Sequence, residues 1–162
     1  MENNFAKKLI EWYKINLRDL PWRKTNDPYK IWVSEIILQQ TRIDQGTPYY
    51  LNFINKFPNV KKLSESTLDE LMKVCQGIGY YGRIINMHKC VKIVVSEYNS
   101  NFPTKYSELI KLPGIGDYTA SAISSICSGE SKMVVDGNVI RLFSRLYNLN
   151  YQQHSSMMKK TI

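Results

Sequence analysis

The chain has 162 residues, 43% of them hydrophobic, which suits one water-soluble domain or two small lobes that share a single path. Its 22 Lys and Arg residues outnumber 14 Asp and Glu, and the net charge of +8 favours a polyanionic partner such as nucleic acid. The 3 cysteines lie far apart and no apolar run could span a membrane, so we expect no metal site, no membrane association and a cytoplasmic location.

Helical spacing of apolar residues dominates the chain, and no alternating stretch is long enough to predict a sheet, so the chain is predicted to be all-α. The first helix is amphipathic and is predicted to stop at Pro21. Its apolar residues recur at helical intervals: Leu9, Trp12, Tyr13 and Leu17. Asp27 before Pro28 predicts the start of the second helix, and Thr67 with Glu70 predicts a capping box at a later one.

Two glycine-bearing turns interrupt the helical pattern, residues 77–82 (GIGYYG) and residues 112–116 (LPGIG), and both are candidate contact loops. In the second turn the chain reverses before a small-residue helix, so backbone amides and the positive end of the helix dipole can bind a phosphate. The alternative is an ordinary tight turn, but the full LPGIG motif favours a helix-hairpin-helix contact with DNA. Asp117 works against this role because its carboxylate would lie near the phosphate.

Glu35 is a candidate general acid. Ile31 and Trp32 precede it by one helical turn and Leu38 follows it by three residues, so apolar side chains share its face of the second helix. Such surroundings raise the pKa of a carboxyl group and keep a proton available near neutral pH. The alternative is a surface glutamate beside a partly exposed tryptophan.

Asp136 follows an apolar run, residues 133–135 (MVV), and precedes a helix that contains Arg141 and Arg145. Taken alone it is an N-cap, the commoner role for an aspartate at such a position. The functional alternative is a carboxylate that faces a developing positive charge on a sugar and pairs with Glu35, as carboxylates do in glycoside hydrolysis.

The chain resembles adenine DNA glycosylases of the helix-hairpin-helix superfamily, from residue 20 to about residue 149. The motifs that carry the resemblance are LPWR at 20–23, SEIILQQT at 34–41, GIGYY at 77–81, LPGIG at 112–116 with YTA at 118–120, and VDGNV at 135–139. It implies the all-α helix-hairpin-helix glycosylase fold, with a six-helix barrel lobe over residues 28–136 that contains the hairpin at about 106–128. Residues 1–27 and 137–162 would form an incomplete second lobe.

The resemblance also implies a role for each matching residue. Glu35 matches the proton donor that protonates adenine at N7 and later helps to activate water. Asp136 matches the carboxylate that stabilises the oxocarbenium-like sugar, and Asn138 matches a residue that supports this site. Tyr118 stands where the related endonuclease III-like enzymes have a lysine that forms a Schiff base and cuts the strand, which implies a monofunctional glycosylase with water as the nucleophile.

Gln40 and Tyr80 match side chains that wedge into the duplex beside the lesion, where they help to offset the cost of base flipping, on the order of a few kcal/mol. The other residues expected at the DNA interface are Arg23, Thr41, Ile78, Gly79, Gly114, Ile115, Gly116 and Thr119. His88 is interpreted as a solvent-facing or phosphate-contacting side chain and not as a catalytic group.

Family members continue through further helices, a four-cysteine loop that holds a 4Fe-4S cluster, and a domain that recognises 8-oxoguanine. In the family the second lobe carries the cluster, but its loop is not among these 162 residues, so we expect no cofactor here. We interpret Cys75, Cys90 and Cys127 as small apolar residues. Without the further helices, the apolar faces of residues 5–17 and 139–149 are expected to be exposed, and residues 151–162 are expected to form a frayed helix.

These features together predict a truncated, monomeric, nucleoid-associated DNA repair glycosylase. Its substrate would be double-stranded DNA with adenine opposite 8-oxoguanine or guanine, and it would hydrolyse the N-glycosidic bond of the adenine. Two alternatives stay open, a thymine mismatch glycosylase and an inactive DNA-binding remnant. Retention of both carboxylates favours the enzyme, whereas the shorter chain favours the remnant.

Overall fold

The computed structural model describes residues 2–148, and all regular elements in this range are helical. In chain order they are α1 (Glu2–Asn16), a 3-10 turn (Pro21–Arg23), α2 (Pro28–Ile37), α3 (Ile43–Lys56), α4 (Val60–Ser64), α5 (Leu68–Val74), α6 (Tyr81–Glu97), α7 (Tyr106–Leu109), α8 (Asp117–Ser128) and α9 (Gly137–Leu146). The all-α prediction is therefore confirmed for the residues described.

Side-chain caps begin the helices where the sequence predicted them. Asp27 accepts a hydrogen bond of 2.9 Å from a backbone amide in the first turn of α2. Thr67 and Glu70 form the predicted capping box at the start of α5. The predicted end of the first helix was wrong, because α1 ends at Asn16, ahead of Pro21. The Asn16 amide donates to a carbonyl oxygen of the last turn, a side-chain interaction that competes with helix continuation.

Helix α2 lies at the centre of the core. Seven of its 10 residues are buried, and it packs against both α3 and α8. Trp32 and Ile37 are fully buried, and the Phe102 ring packs against Trp32 with a centroid separation of 4.8 Å. Buried side chains from α3 through α8 join α2 in one hydrophobic cluster. This packing fixes the rotation of α2 and leaves Glu35 half-buried at the edge of the core.

The first and last described helices, α1 and α9, lie outside this cluster. They meet through Phe5 and Phe143, whose ring centroids are 6.2 Å apart in an edge-on arrangement. The exposed large apolar side chains in and beside these helices are Leu9, Ile10, Trp12, Tyr13, Ile15, Leu17, Leu142, Leu146 and Tyr147. The predicted exposure of the apolar faces is therefore confirmed for these side chains, whereas Ile140 on α9 is buried.

The division into a lobe of residues 28–136 and a second lobe of residues 1–27 and 137–162 stays a prediction. The expected frayed helix at 151–162 lies outside the described residues. None of the helices described between residues 2 and 148 is long and apolar enough to cross a membrane.

Candidate active site

Glu35 lies in a cavity of about 330 Å³ between α1, the 3-10 turn, α2 and α8. The residues that line it are Tyr13, Trp22, Arg23, Thr25, Asn26, Ile31, Ser34, Glu35 and Ile126. The cavity combines apolar and aromatic side chains with five polar or charged residues, so it offers both contact surface and hydrogen-bonding groups to a small ligand. Its size and its lining suit a flat heterocycle such as a nucleobase.

Burial raises the pKa of Glu35 above its usual value, and it is the largest of three effects. The Arg23 guanidinium lowers the pKa and the charge of Asp136 raises it. Glu35 therefore keeps its proton to higher pH than an exposed glutamate does. The alternative of a surface glutamate beside a partly exposed tryptophan is wrong, because Trp32 is 0% exposed and Glu35 is half-buried.

Asp136 and Tyr118 come from distant parts of the chain, yet both lie within electrostatic range of Glu35. Tyr118 is 40% exposed, and its partial burial raises its pKa to about 12, with a contribution from the charges of Glu35 and Asp136. Tyr118 is therefore a neutral phenol near neutral pH, able to donate a hydrogen bond. The fold thus brings together the two carboxyl groups and the tyrosine that the sequence singled out.

Asp136 is the N-cap of α9 as well as a member of this site. Its Oδ1 accepts hydrogen bonds from the backbone amides of Asn138 at 2.9 Å and Val139 at 2.8 Å. Its Oδ2 accepts a third bond, of 2.9 Å, from the side-chain amide of Asn138, which Arg141 contacts in turn. These bonds fix the orientation of the carboxylate, so the capping role and the proposed electrostatic role belong to the same group.

A second cavity, of about 260 Å³, opens where the α2–α3 connection meets the turn before α6, and its lining residues are Gln39, Gln40, Tyr80, Gly82 and Arg83. Gln40 and Tyr80 are exposed and have left-handed backbones, with φ of 55° and 48°. Thr41 is half-buried beside them, and Gly79 gives the turn another positive φ. The Ile78 side chain is buried in the core, and its backbone amide and carbonyl oxygen bond to Cys75 and Arg83, so Ile78 supports the turn and does not present a side chain to a ligand.

The helix-hairpin-helix runs from α7 through its glycine turn into α8. Gly114 has a φ of 77°, and a Cβ there would lie 2.7 Å from the Asn86 Cβ on α6, so only glycine fits. A Cβ on Gly116 would have no neighbour within 4 Å, which shows that this side of the turn is open. Ile115 and Thr119 are buried, so their side chains hold the hairpin on the core and its backbone faces outward.

Asp117 has a protein partner that the sequence did not predict. The Tyr106 hydroxyl donates to Asp117 Oδ1 at 2.6 Å, and the Lys132 ammonium lies 4.5 Å from the centroid of the Tyr106 ring. The hydrogen bond links α7 to α8 and commits one carboxylate oxygen to the hairpin itself. Asp117 therefore has a structural role at the position where a phosphate was expected.

The cysteine thiols do not fit an iron–sulfur cluster. Burial raises the pKa of Cys75 and of Cys90 to about 12 and that of Cys127 to about 11. Cluster ligands are thiolates, which these surroundings disfavour. Across residues 2–148, no three His, Cys, Asp or Glu side chains are grouped so that they could hold a metal ion.

The prediction that His88 faces solvent or contacts a phosphate was wrong. His88 is only 9% exposed, and its Nε2 lies 2.9 Å from the carbonyl oxygen of Ser66. The residue is on the face of α6 that packs against α4, where the neighbouring backbone supplies a hydrogen-bond partner. The polarity of this side chain, which lies between Met87 and Lys89 in the sequence, suggested exposure, but the residue is buried.

Two residues near the cavities were missed from the sequence as functional groups. The Tyr13 hydroxyl accepts a hydrogen bond of 2.7 Å from Arg23. Tyr13, which the sequence pattern places on the apolar face of α1, therefore orients the Arg23 guanidinium in the Glu35 cavity. Arg83 connects the loops that carry Gln40 and Tyr80. The only sequence signal for Arg83 is its place directly after the GIGYYG turn.

Comparison with known proteins gives a consistent family assignment. Residues 33–162 match the family model for HhH-GPD superfamily base excision DNA repair proteins. The chain is 45% identical over 146 residues to the adenine DNA glycosylase of Buchnera aphidicola subsp. Schizaphis graminum, covering 90% of this chain and 42% of that protein. This chain therefore spans less than half the length of such curated relatives.

Solved structures share the fold. A thermostable thymine-DNA glycosylase superposes with a TM-score of 0.83 at 25% identity, covering 97% of this chain and 75% of that one. Endonuclease III in a non-covalent DNA complex superposes with a TM-score of 0.78 at 22% identity, covering 98% of this chain and 74% of that one. The predicted helix-hairpin-helix glycosylase fold is therefore confirmed. Together with the family match, which extends over most of the sequence, this means that the chain belongs to the HhH-GPD superfamily of base excision DNA repair proteins.

Proposed function

We propose that this chain carries the catalytic site of a DNA glycosylase that removes adenine opposite 8-oxoguanine or guanine. The observation that carries the proposal is that Glu35, half-buried in a cavity suited to a nucleobase, lies within electrostatic range of both Asp136 and Tyr118. The similarity to adenine DNA glycosylases supports adenine as the base. The net charge of +8 supports double-stranded DNA as the partner.

In the proposed reaction, the Glu35 carboxylic acid donates its proton to N7 of a flipped-out adenine. The bond between N9 and the sugar C1′ then breaks, its electron pair leaves with the base, and adenine departs as a neutral N7-protonated tautomer. Positive charge develops on the sugar, where the oriented carboxylate of Asp136 stabilises it. A water molecule attacks C1′ and transfers a proton to the Glu35 carboxylate, which regenerates the acid and leaves an abasic site.

The proposed enzyme is monofunctional. Tyr118 stands at the position where a Schiff-base lysine would be needed, and a phenol with a pKa of about 12 is not an amine nucleophile. Among the described residues, those that line the Glu35 cavity include no lysine. The strand is therefore expected to stay intact until alkali cleaves it at the abasic site.

The proposed contacts with DNA come from three separate parts of the fold. The open backbone of the hairpin turn, including Gly114 and Gly116, binds a phosphate at the start of α8. Gln40 and Tyr80 enter the duplex beside the flipped nucleotide. Arg23, in the Glu35 cavity, contacts the extruded base or its flanking phosphate. We propose that the protein acts as a monomer on chromosomal DNA.

A thymine mismatch glycosylase is the second candidate. It is supported by the fold similarity to a thymine-DNA glycosylase, which superposes with a TM-score of 0.83. A thymine mismatch glycosylase would share the pattern of Glu35, Tyr118 and Asp136 imperfectly, and base preference decides between the two candidates. An inactive DNA-binding remnant is the third possibility, and the same assay distinguishes all three.

The test is to incubate the chain with labelled duplexes that carry adenine opposite 8-oxoguanine, adenine opposite guanine, or thymine opposite guanine. Alkali then reveals abasic sites. The proposal predicts alkali-dependent cleavage at the adenine in the first two duplexes and an intact strand without alkali. Cleavage only at thymine would favour the second candidate, and duplex binding without any excised base would favour the remnant. Cutting without alkali would contradict the monofunctional assignment.

Gly116→Ala is expected to weaken binding to duplex DNA roughly tenfold, about 1.4 kcal/mol, without lowering the melting temperature. The added methyl group has room in the free protein, with no atom within 4 Å of it, but it occupies the side from which a phosphate would approach. Fluorescence anisotropy with a labelled duplex measures the affinity, and thermal unfolding measures the stability.

Gly114→Ala is the matched comparison. Its methyl group meets Asn86 and its backbone has a positive φ, so it should destabilise the protein by about 1–3 kcal/mol. Unchanged DNA affinity in Gly116→Ala would show that no phosphate approaches this side of the turn.

A further inference from the structure

Arg83 lies at the start of α6 and bonds to the end of α2. Its Nη1 donates to the carbonyl oxygens of Ile36 at 2.8 Å and Ile37 at 3.3 Å, and also to that of Gln39. The last carbonyl groups of a helix have no partner within the helix and carry its negative dipole end, so a cation is favoured there. Arg83 thereby fixes the segment that leads directly into Gln40.

The same guanidinium also bonds to the turn on the other side. Its Nη2 donates to the carbonyl oxygen of Ile78 at 3.2 Å and lies 3.5 Å from the Thr41 hydroxyl. Its Cζ lies 6.0 Å from the centroid of the Tyr80 ring, within the range of a cation–π contact. One side chain therefore contacts both of the loops that carry Gln40 and Tyr80.

Both loops need such support. Gln40 and Tyr80 have left-handed backbones, with φ of 55° and 48°, which non-glycine residues keep only where neighbouring groups hold the chain. Tyr80 is 67% exposed, so little of its own side chain is packed against the protein. Local backbone bonds, such as that from the Thr41 amide to Leu38, hold each loop by itself, whereas the Arg83 side chain donates to backbone carbonyl oxygens in both loops.

We propose that Arg83 is a positioning residue that holds Gln40 and Tyr80 as one rigid pair, so that both side chains enter the duplex together when the base leaves the stack. This inference rests on the proposed role of those two side chains in the duplex. Arg83 does not line the Glu35 cavity, so its effect falls on extrusion of the base and not on cleavage of the glycosidic bond. Lysine cannot replace it, because an ammonium lacks the planar fork that spans two loops.

The test compares Arg83→Lys with Arg145→Lys, a matched control at an exposed arginine on α9. Single-turnover excision is measured with adenine paired opposite 8-oxoguanine and with adenine in a single-nucleotide bulge, where extrusion is easier. Arg83→Lys should slow excision from the paired duplex about tenfold or more and leave the bulge rate and its pH profile nearly unchanged. Equal slowing on both substrates, or no slowing on either, would overturn the proposal.

Two further measurements do not depend on base excision. In the free protein, backbone amide hydrogens should exchange faster in Arg83→Lys than in the parent chain at both residues 39–41 and residues 78–81. Their exchange rates at residues 112–116 should be unchanged. The fluorescence of a 2-aminopurine placed beside the target adenine should increase less on binding of Arg83→Lys than on binding of the parent chain. Unchanged exchange in either loop overturns the proposal even if the chain excises no base, in which case the proposed function fails separately. Arg83→Gln serves as the second variant if the lysine form does not fold.

Discussion

Glu35→Gln is expected to slow adenine excision by about 10²–10⁴-fold, the usual contribution of a positioned general acid. Glutamine has nearly the same shape as glutamic acid, but it has no acidic proton to give to the base. Because burial raises the pKa of Glu35, the parent chain keeps that proton to higher pH than an exposed carboxyl group. Single-turnover excision from a duplex with adenine opposite 8-oxoguanine, followed by alkali, measures the difference.

The variant should bind the duplex as the parent chain does, because the shape of the cavity is retained. Glu97→Gln, at an exposed position at the end of α6, is the matched control and should excise adenine at the parental rate. A Glu35→Gln variant that retains the parental rate would show that another group protonates the base.

The same substitution has an expected effect on stability. The pKa of Glu35 is higher in the folded protein than in the unfolded chain. Its contribution to stability is therefore fully present below the pKa that Glu35 has in the unfolded chain, and it is lost as the pH rises through the pKa that Glu35 has in the folded protein. Above that range the parent chain holds a carboxylate in unfavourable surroundings, whereas glutamine stays neutral. Glu35→Gln should therefore melt no lower than the parent near neutral pH, and a lower melting temperature would indicate that Glu35 is mainly a structural residue.

Local signals in the sequence were enough to predict the starts of α2 and α5. The Asp27 cap and the Thr67 capping box each depend on residues within three or four positions, and such short-range hydrogen bonds can be predicted from spacing. Burial of Glu35 was also predictable, because Ile31 lies one turn away on the same helix. Each of these predictions concerns a single helix and its immediate flanks.

Features that depend on packing between distant segments were not predictable from one sequence. Tyr13 and Ile126 complete the walls of the Glu35 cavity from α1 and α8, and neither position differs in spacing from an ordinary apolar residue. Burial of His88 could not be predicted because its hydrogen-bond partner, the Ser66 carbonyl oxygen, belongs to another segment. Arg83 is similar, since all but one of the groups that it contacts by hydrogen bonds lie more than 40 positions away in the chain.

Asp136→Asn is expected to slow excision by about 10²–10³-fold, comparable to the loss of one oriented electrostatic group in an active site. Asparagine caps helices as well as aspartate does, so its side-chain oxygen can still accept from the amides of Asn138 and Val139. The variant thus keeps α9 and loses the negative charge that would face the developing cation. Single-turnover excision and thermal unfolding together measure both effects.

Asp136→Ala separates the two roles of this residue. It removes the cap as well as the charge, and loss of an N-cap costs about 1 kcal/mol of stability. It should therefore excise adenine as slowly as Asp136→Asn but melt at a lower temperature. If Asp136→Asn kept the parental rate while Asp136→Ala lost stability, Asp136 would be a helix cap alone.

Asp136→Asn should also shift the pH dependence of excision, because the two carboxyl groups are coupled. The charge of Asp136 raises the pKa of Glu35, so its removal lowers that pKa. The residual rate requires protonated Glu35 and should begin to fall at a lower pH than it does in the parent chain. Rates measured across the acidic and neutral range test this expectation. An unchanged profile would mean that Asp136 does not influence the proton on Glu35, and the pairing of the two carboxyl groups in one reaction would have to be abandoned.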